Sequence, residues 1–228
     1  MNFFGESLGT ALSLILSLDG EVLRTVWTSL YVSISAISVA AMIGIPIGLA
    51  IGIHRFRGRR LVLTGLNTLM ALPTVVVGLV VYGLLSRQSP LGPLGLLFTP
   101  VAMMIGQIVL ATPIVAHYTV SAACGADARI LPTLRTLGAG PLESAWQMLR
   151  EVRFVILAGV VAGFGRIIAE VGVAMMLGGN IRGYTRTMTT AIALETGKGE
   201  FAFALALGLV LMSVALGINL LLNLLQQR

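Results

Sequence analysis

Arg166 and Glu170 stand one helical turn apart inside a run, residues 154–179, that is otherwise apolar. At this spacing an arginine and a glutamate share one helix face and neutralise each other. Each alone at mid-bilayer costs about 2.5 to 3.5 kcal/mol on an insertion scale, so pairing is the expected response if the run crosses a membrane. Two uses stay open for such a pair. One is a proton relay or an anion site along a pore; the other is a self-satisfied couple that turns its helix toward the interior of a bundle. A second polar cluster follows: Asn180, then Arg182, Thr185, Arg186, Thr187, Thr189 and Thr190. Arginine forks and hydroxyl or amide donors are what an oxyanion requires, since it only accepts hydrogen bonds. The same residues also suit a solvated loop that touches a partner or lipid headgroups.

Other chemistry finds little material. A phosphate-cradling loop needs Gly, four residues, then Gly-Lys-Ser/Thr. The single lysine, Lys198, lies in Gly197-Lys198-Gly199 with Ile192 where the first glycine belongs, so no ATP or other cofactor is expected on this chain. Asp19 and Asp127 are the only aspartates, and both fall outside the apolar runs. A Ser/His/Asp triad or a paired-carboxylate site therefore lacks parts, which ranks a membrane-embedded enzyme last. Cys124 is the only cysteine, which excludes an internal disulfide, and His54 and His117 have no cysteine near them in sequence, so no metal is expected.

The elements that must position these residues are membrane spans. The chain is 57% hydrophobic and 11% charged, so lipid is the solvent for most of it. The net charge of +6 is explained by basic loops beside spans rather than by nucleic acid. Residues 25–53, 61–86, 96–122, 154–179 and 201–225 are predicted to cross, each long enough for a hydrocarbon core that takes about 20 residues. Pro73 is expected to kink the second span, and Pro113 lies within the third. Residues 1–20, with Phe3, Phe4, Leu8, Leu12, Ile15 and Leu16 around Glu6, fit an interfacial amphipathic helix better than a spanning one. The fold class is thus an all-α polytopic membrane bundle. Residues 180–200 are read as a polar external segment. Arg55, Arg57, Arg59 and Arg60 place their loop in the cytoplasm and the N-terminus outside. On that topology nine Lys and Arg residues, Arg228 among them, lie inside against five outside, and the C-terminus is cytoplasmic.

Residues 123–153 are the longest hydrophilic interruption. Leu134 and Leu137, then Leu142, Ala145, Trp146, Leu149 and Val152, recur at three- and four-residue spacing around Gly138, Gly140 and Pro141. That predicts two short amphipathic helices about a tight turn, with Pro141 at the first position of the second. A folded hinge in a loop of a membrane protein is a place for a partner to dock.

The hinge and its flanks resemble the membrane subunit of a bacterial ATP-binding-cassette importer of the sulfate, molybdate and tungstate branch. The resemblance covers residues 24–225. It rests on Arg135-Thr136-Leu137-Gly138-Ala139-Gly140-Pro141-Leu142, on Gly163-Phe164-Gly165-Arg166 with Glu170-Val171-Gly172, and on Gly179-Asn180-Ile181-Arg182-Gly183-Tyr184-Thr185-Arg186-Thr187. The last run looks most like the tungstate-specific permeases, with molybdate and sulfate as alternative cargoes. The resemblance implies a homodimer in a prokaryotic cytoplasmic membrane, two cytoplasmic ATPase subunits that use ATP, and an external oxyanion-binding protein. It also implies that Arg135, Leu137, Gly138, Pro141, Leu142 and Glu143 contact the ATPase; Asn180, Arg182, Thr185 and Arg186, by their residue types and their place near an external mouth, are the candidates for the substrate path. The family's Glu-Ala-Ala is replaced here by Pro132-Thr133-Leu134, which leaves Glu143 or Asp127 as the acidic contact. An ion-coupled secondary transporter using Arg166 and Glu170 is the rival from another class, although the paired repeats common in such folds are not visible.

Overall fold

The computed structural model describes residues 3–54 and 56–226. Arg55 and Arg228, counted above among the inside charges, lie outside the described residues. Those described form helices and connecting turns without a strand. α1 spans Phe3–Leu16, α2 Gly20–Ile53, α3 Arg59–Met70, α4 Thr74–Leu85 and α5 Pro100–Gly125. α6 spans Ile130–Thr136, α7 Pro141–Glu151, α8 Arg153–Ile168, α9 Gly172–Gly178, α10 Met188–Lys198 and α11 Phe201–Gln226.

α2 and α5 form the central pair, with α8 packed on both. α2 starts where the Asp19 carboxylate accepts from the N–H groups of Glu21 and Val22, at 2.9 and 3.1 Å, satisfying donors that every helix start leaves free. Its close approach to α5 depends on glycine. A Cβ on Gly48 would lie 2.6 Å from the Ala116 carbonyl oxygen and 2.5 Å from the Thr119 Cβ, and Gly44 and Gly52 meet α5 one turn to either side. In lipid, where burial of apolar surface gives no drive for helix association, such backbone proximity is a main source of it.

Among the described residues three helices are long and apolar enough to cross a membrane, α2, α5 and α11, and up to five crossings result if each of two bent pairs crosses as one. Those pairs correct the picture of five simple spans. α3 and α4 meet at 95°, and α8 and α9 at 61°. Pro73 ends one helix and starts another instead of kinking a single one: its carbonyl accepts from Val76 and Val77, so α4 begins afresh. Pro46 and Pro113, by contrast, sit inside continuous helices held in the α2–α5 contact. α3 lies on α5 without a fully buried residue, whereas α4 packs on both α9 and α5.

α1, with 14 residues or about 21 Å of length, is short of a crossing. It lies along α11, with the Phe3 and Phe201 rings 5.5 Å apart and Leu12 and Ile15 beside Leu209 and Ser213. Residues 180–200 are not an open polar stretch. They fold back as a turn and α10, and Thr185, Thr187, Thr189, Thr190 and Glu195 are buried.

Candidate functional site

The hinge has the expected form, two arms about a turn. Gly138 takes φ +82°, a left-handed conformation in which a side chain is strained, and Pro141 occupies the first turn of α7 behind Gly140. α7 is rooted by one face: Met148 and Val152 join Leu49 of α2, Ala122 and Ala123 of α5 and Ile156 of α8 in a small separate core. The other face is bare. Leu137, Leu142 and Trp146 are 78%, 86% and 56% exposed, and Arg135, Pro141 and Glu143 are exposed with them. Leu134, Ala145 and Leu149 are half-buried between the two faces. At the entrance to α6, Arg129 grips Asp127 at 2.7 Å and holds its carboxyl below the usual carboxylate range, so Asp127 is already engaged within its own turn.

The arginines of the second cluster are engaged as well. Arg186, one-tenth exposed at its side chain, reaches Glu21 at 3.1 Å and Glu195 at 3.3 Å, and Lys198 reaches Glu195 at 3.0 Å. Arg182 pairs with Glu21, which raises its pKa. The threonines close backbone gaps that lipid would leave open. Thr185 donates to the Gly178 carbonyl and accepts from the Ile181 N–H; Thr189 donates to the Glu170 carbonyl; Thr187 and Thr190 cap α10 reciprocally. Met188 N–H donates to Ser29 Oγ on α2. Asn180, at φ +51°, gives its amide to the Thr190 carbonyl at 3.4 Å. Asn180, Arg182, Thr185 and Arg186 are thus brought together, but into a strut between α2, α9 and α10 rather than an open row of anion donors.

The pair expected between Arg166 and Glu170 does not form. The helix stops between them, at Ile168, so the (i, i+4) geometry is lost. The Glu170 carboxylate instead accepts from the Val173 N–H at 3.2 Å, fixing the start of α9. Arg166 is exposed, and among the described residues neither a hydrogen bond nor an ion pair engages it. Gln107, buried on α5, braces the same break by donating to the Ile167 carbonyl at 3.2 Å.

Against this geometry the comparisons with known proteins are decisive for the family. Residues 44–228 match the family described as binding-protein-dependent transport system inner membrane component. The chain belongs to this family. The tungstate uptake system permease protein of Peptoclostridium acidaminophilum is 41% identical over 194 residues, 85% of each chain. That of Campylobacter jejuni is 38% identical over 198 residues, covering 87% of this chain and 83% of its own. A crystal structure of an amino acid ABC transporter superposes with a TM-score of 0.68 over 94% of this chain and 96% of that one, at 15% identity, which shows a shared fold.

In this transport component the residues that sequence reasoning missed are partners rather than new clusters. Glu21 and Glu195 answer the arginines from positions 165 and nine residues away, and only the nearer lies on a local pattern. The glycine series at 44, 48 and 52 has a readable fourfold spacing, the sign of close helix packing.

Proposed function

We propose that this chain, with a second copy of itself, forms the membrane path of an ATP-driven importer for a tetrahedral oxyanion, tungstate in the first instance. ATP is hydrolysed by separate cytoplasmic subunits that seat on the hinge, and an external binding protein delivers the anion. The observation that carries this reading is the bare apolar ledge of Leu137, Leu142 and Trp146 on arms whose opposite face is built into the bundle. A partner that covers the ledge gains apolar burial, and its movement passes through Met148 and Val152 to α2, α5 and α8. Gly138 sets the turn, Arg135 and Glu143 supply polar contacts at its rim, and Pro141 starts the second arm. The excess of basic residues on the hinge side supports a cytoplasmic hinge, an external N-terminus and a cytoplasmic C-terminus.

Tungstate as cargo is carried over from the relatives named above, with molybdate and sulfate as the alternatives. The three are doubly charged tetrahedra with similar hydrogen-bonding demand, so selection among them belongs to the binding protein. The test is uptake into proteoliposomes holding this chain, the ATPase and the binding protein, with each anion offered in turn. ATP-dependent tungstate uptake is expected. Uptake that follows a proton gradient and ignores ATP would overturn the reading in favour of an ion-coupled transporter.

A further inference from the structure

Arg166 is a cation within a predicted crossing, and among the described residues no hydrogen bond or ion pair answers its charge. Thirteen residues separate it from Arg153 at the start of α8, about 20 Å along the helix. In a core about 30 Å thick this leaves about 10 Å to the far interface, and a helical side chain points back toward the N-terminus of its helix, away from that nearer face. Its natural counter-ion is engaged elsewhere. Glu170 Oε1 accepts from Val173 N–H, and it lies 3.3 Å from where a Cβ on Gly172 would stand, with Thr74 Oγ1 at 3.7 Å from the same point. The carboxylate is therefore beside the first residue of α4, where the positive end of that helix favours it. The arginine shares its exposed face with Ala162, Gly165 and Ala169, all exposed and all small. A lone guanidinium at this depth does not face hydrocarbon, and short neighbours leave room for water around it.

We propose that Arg166 is the mid-membrane anchor of the anion path: a water-exposed cation at the α8–α9 break that draws a doubly charged tetrahedral oxyanion through the low-dielectric centre. This rests on the import reading above and assigns its path to α8 rather than to Arg182 and Arg186, which are held by carboxylates. A guanidinium suits the task because its planar fork presents paired donors to an oxyanion. A single weakly held charge also lets the anion leave, which a path requires and a tight site forbids.

The test compares R166Q and R166K with wild type in the assembled complex, and adds R166C in a C124S background, since Cys124 is the only native cysteine. R166Q is expected to lower ATP-driven tungstate uptake about tenfold or more, the scale of electrostatic attraction in a charged cleft. R166K should keep most of it, with ATPase assembly unchanged in both. The R166C thiol should react with a membrane-impermeant trimethylammonium thiosulfonate, forming a mixed disulfide and releasing methanesulfinate. This cationic adduct should restore uptake where an anionic sulfonate adduct does not. R166Q with wild-type uptake overturns the proposal, as does an R166C thiol inert to both reagents. Failure of R166Q and R166C to assemble while R166K does so makes the residue a folding element, which also overturns it. Wild-type complex that imports no oxyanion removes the import reading itself, an outcome separate from these.

Discussion

Glu195 illustrates what a charged side chain does when the fold buries it. It is one-tenth exposed at the side chain and holds both Arg186 and Lys198, while Arg186 holds Glu21 in turn. Removing one partner from a buried pair leaves a charge without an answer and costs about 3 to 5 kcal/mol. Glu195→Gln should therefore lower the unfolding temperature of the detergent-solubilised protein substantially, because Arg186 keeps only Glu21. Arg182→Gln, at a far more exposed partner of the same network, should shift it little. The residue types of this cluster were legible in the sequence and its role was not. Arginines and threonines in a row read as hydrated donors, and it takes Glu195 together with Glu21, 165 positions before Arg186, to match their charges inside the fold. The same holds for Arg166 and Glu170. Their spacing implies a pair on an unbroken helix, and the break at Ala169 and Val171 undoes the premise.

At the scale of elements the hinge was the most readable part. Its periodicity gives both arms, and glycine and proline mark the turn, because each amphipathic helix repeats locally with a fixed period. The bent pairs were not readable. Pro46, Pro73 and Pro113 all lie in uncharged runs, yet only Pro73 divides its helix. The hinge also gives a prediction of its own. Leu142 is bare at the start of α7 and Met148 is buried six residues later, so the two report on different tasks. Leu142→Glu should leave folding and membrane insertion unchanged while the ATPase subunit no longer co-purifies. Met148→Ala should lower thermal stability by about 2 to 5 kcal/mol equivalent through an emptied core position. Retained co-purification of Leu142→Glu would move the docking surface off this ledge.

The whole bundle depends on the α2–α5 contact. Gly48→Val would force a branched side chain against the Ala116 carbonyl, with backbone on one side and Thr119 on the other. The two helices would have to separate, and we expect a protein that inserts but elutes aggregated from size-exclusion chromatography. Gly65→Val, on α3 with nothing near it, serves as the control and should elute normally in detergent. The all-helical class followed from runs of apolar residues alone, since lipid admits few other ways to satisfy a backbone. How the crossings bend, and which polar groups meet, depends on contacts between distant segments that composition does not record.

α2 runs unbroken for 34 residues, about 51 Å, from its Asp19 cap to the loop beyond Ile53. Near one end Leu49 sits in the small core beneath α7; near the other Glu21 clasps two arginines. A beam of that length cannot be tugged at its foot without swinging at its head. On the import reading proposed above, a pull at the hinge would travel along this beam to the opposite rim of the molecule, as a seesaw lifts one seat by lowering the other.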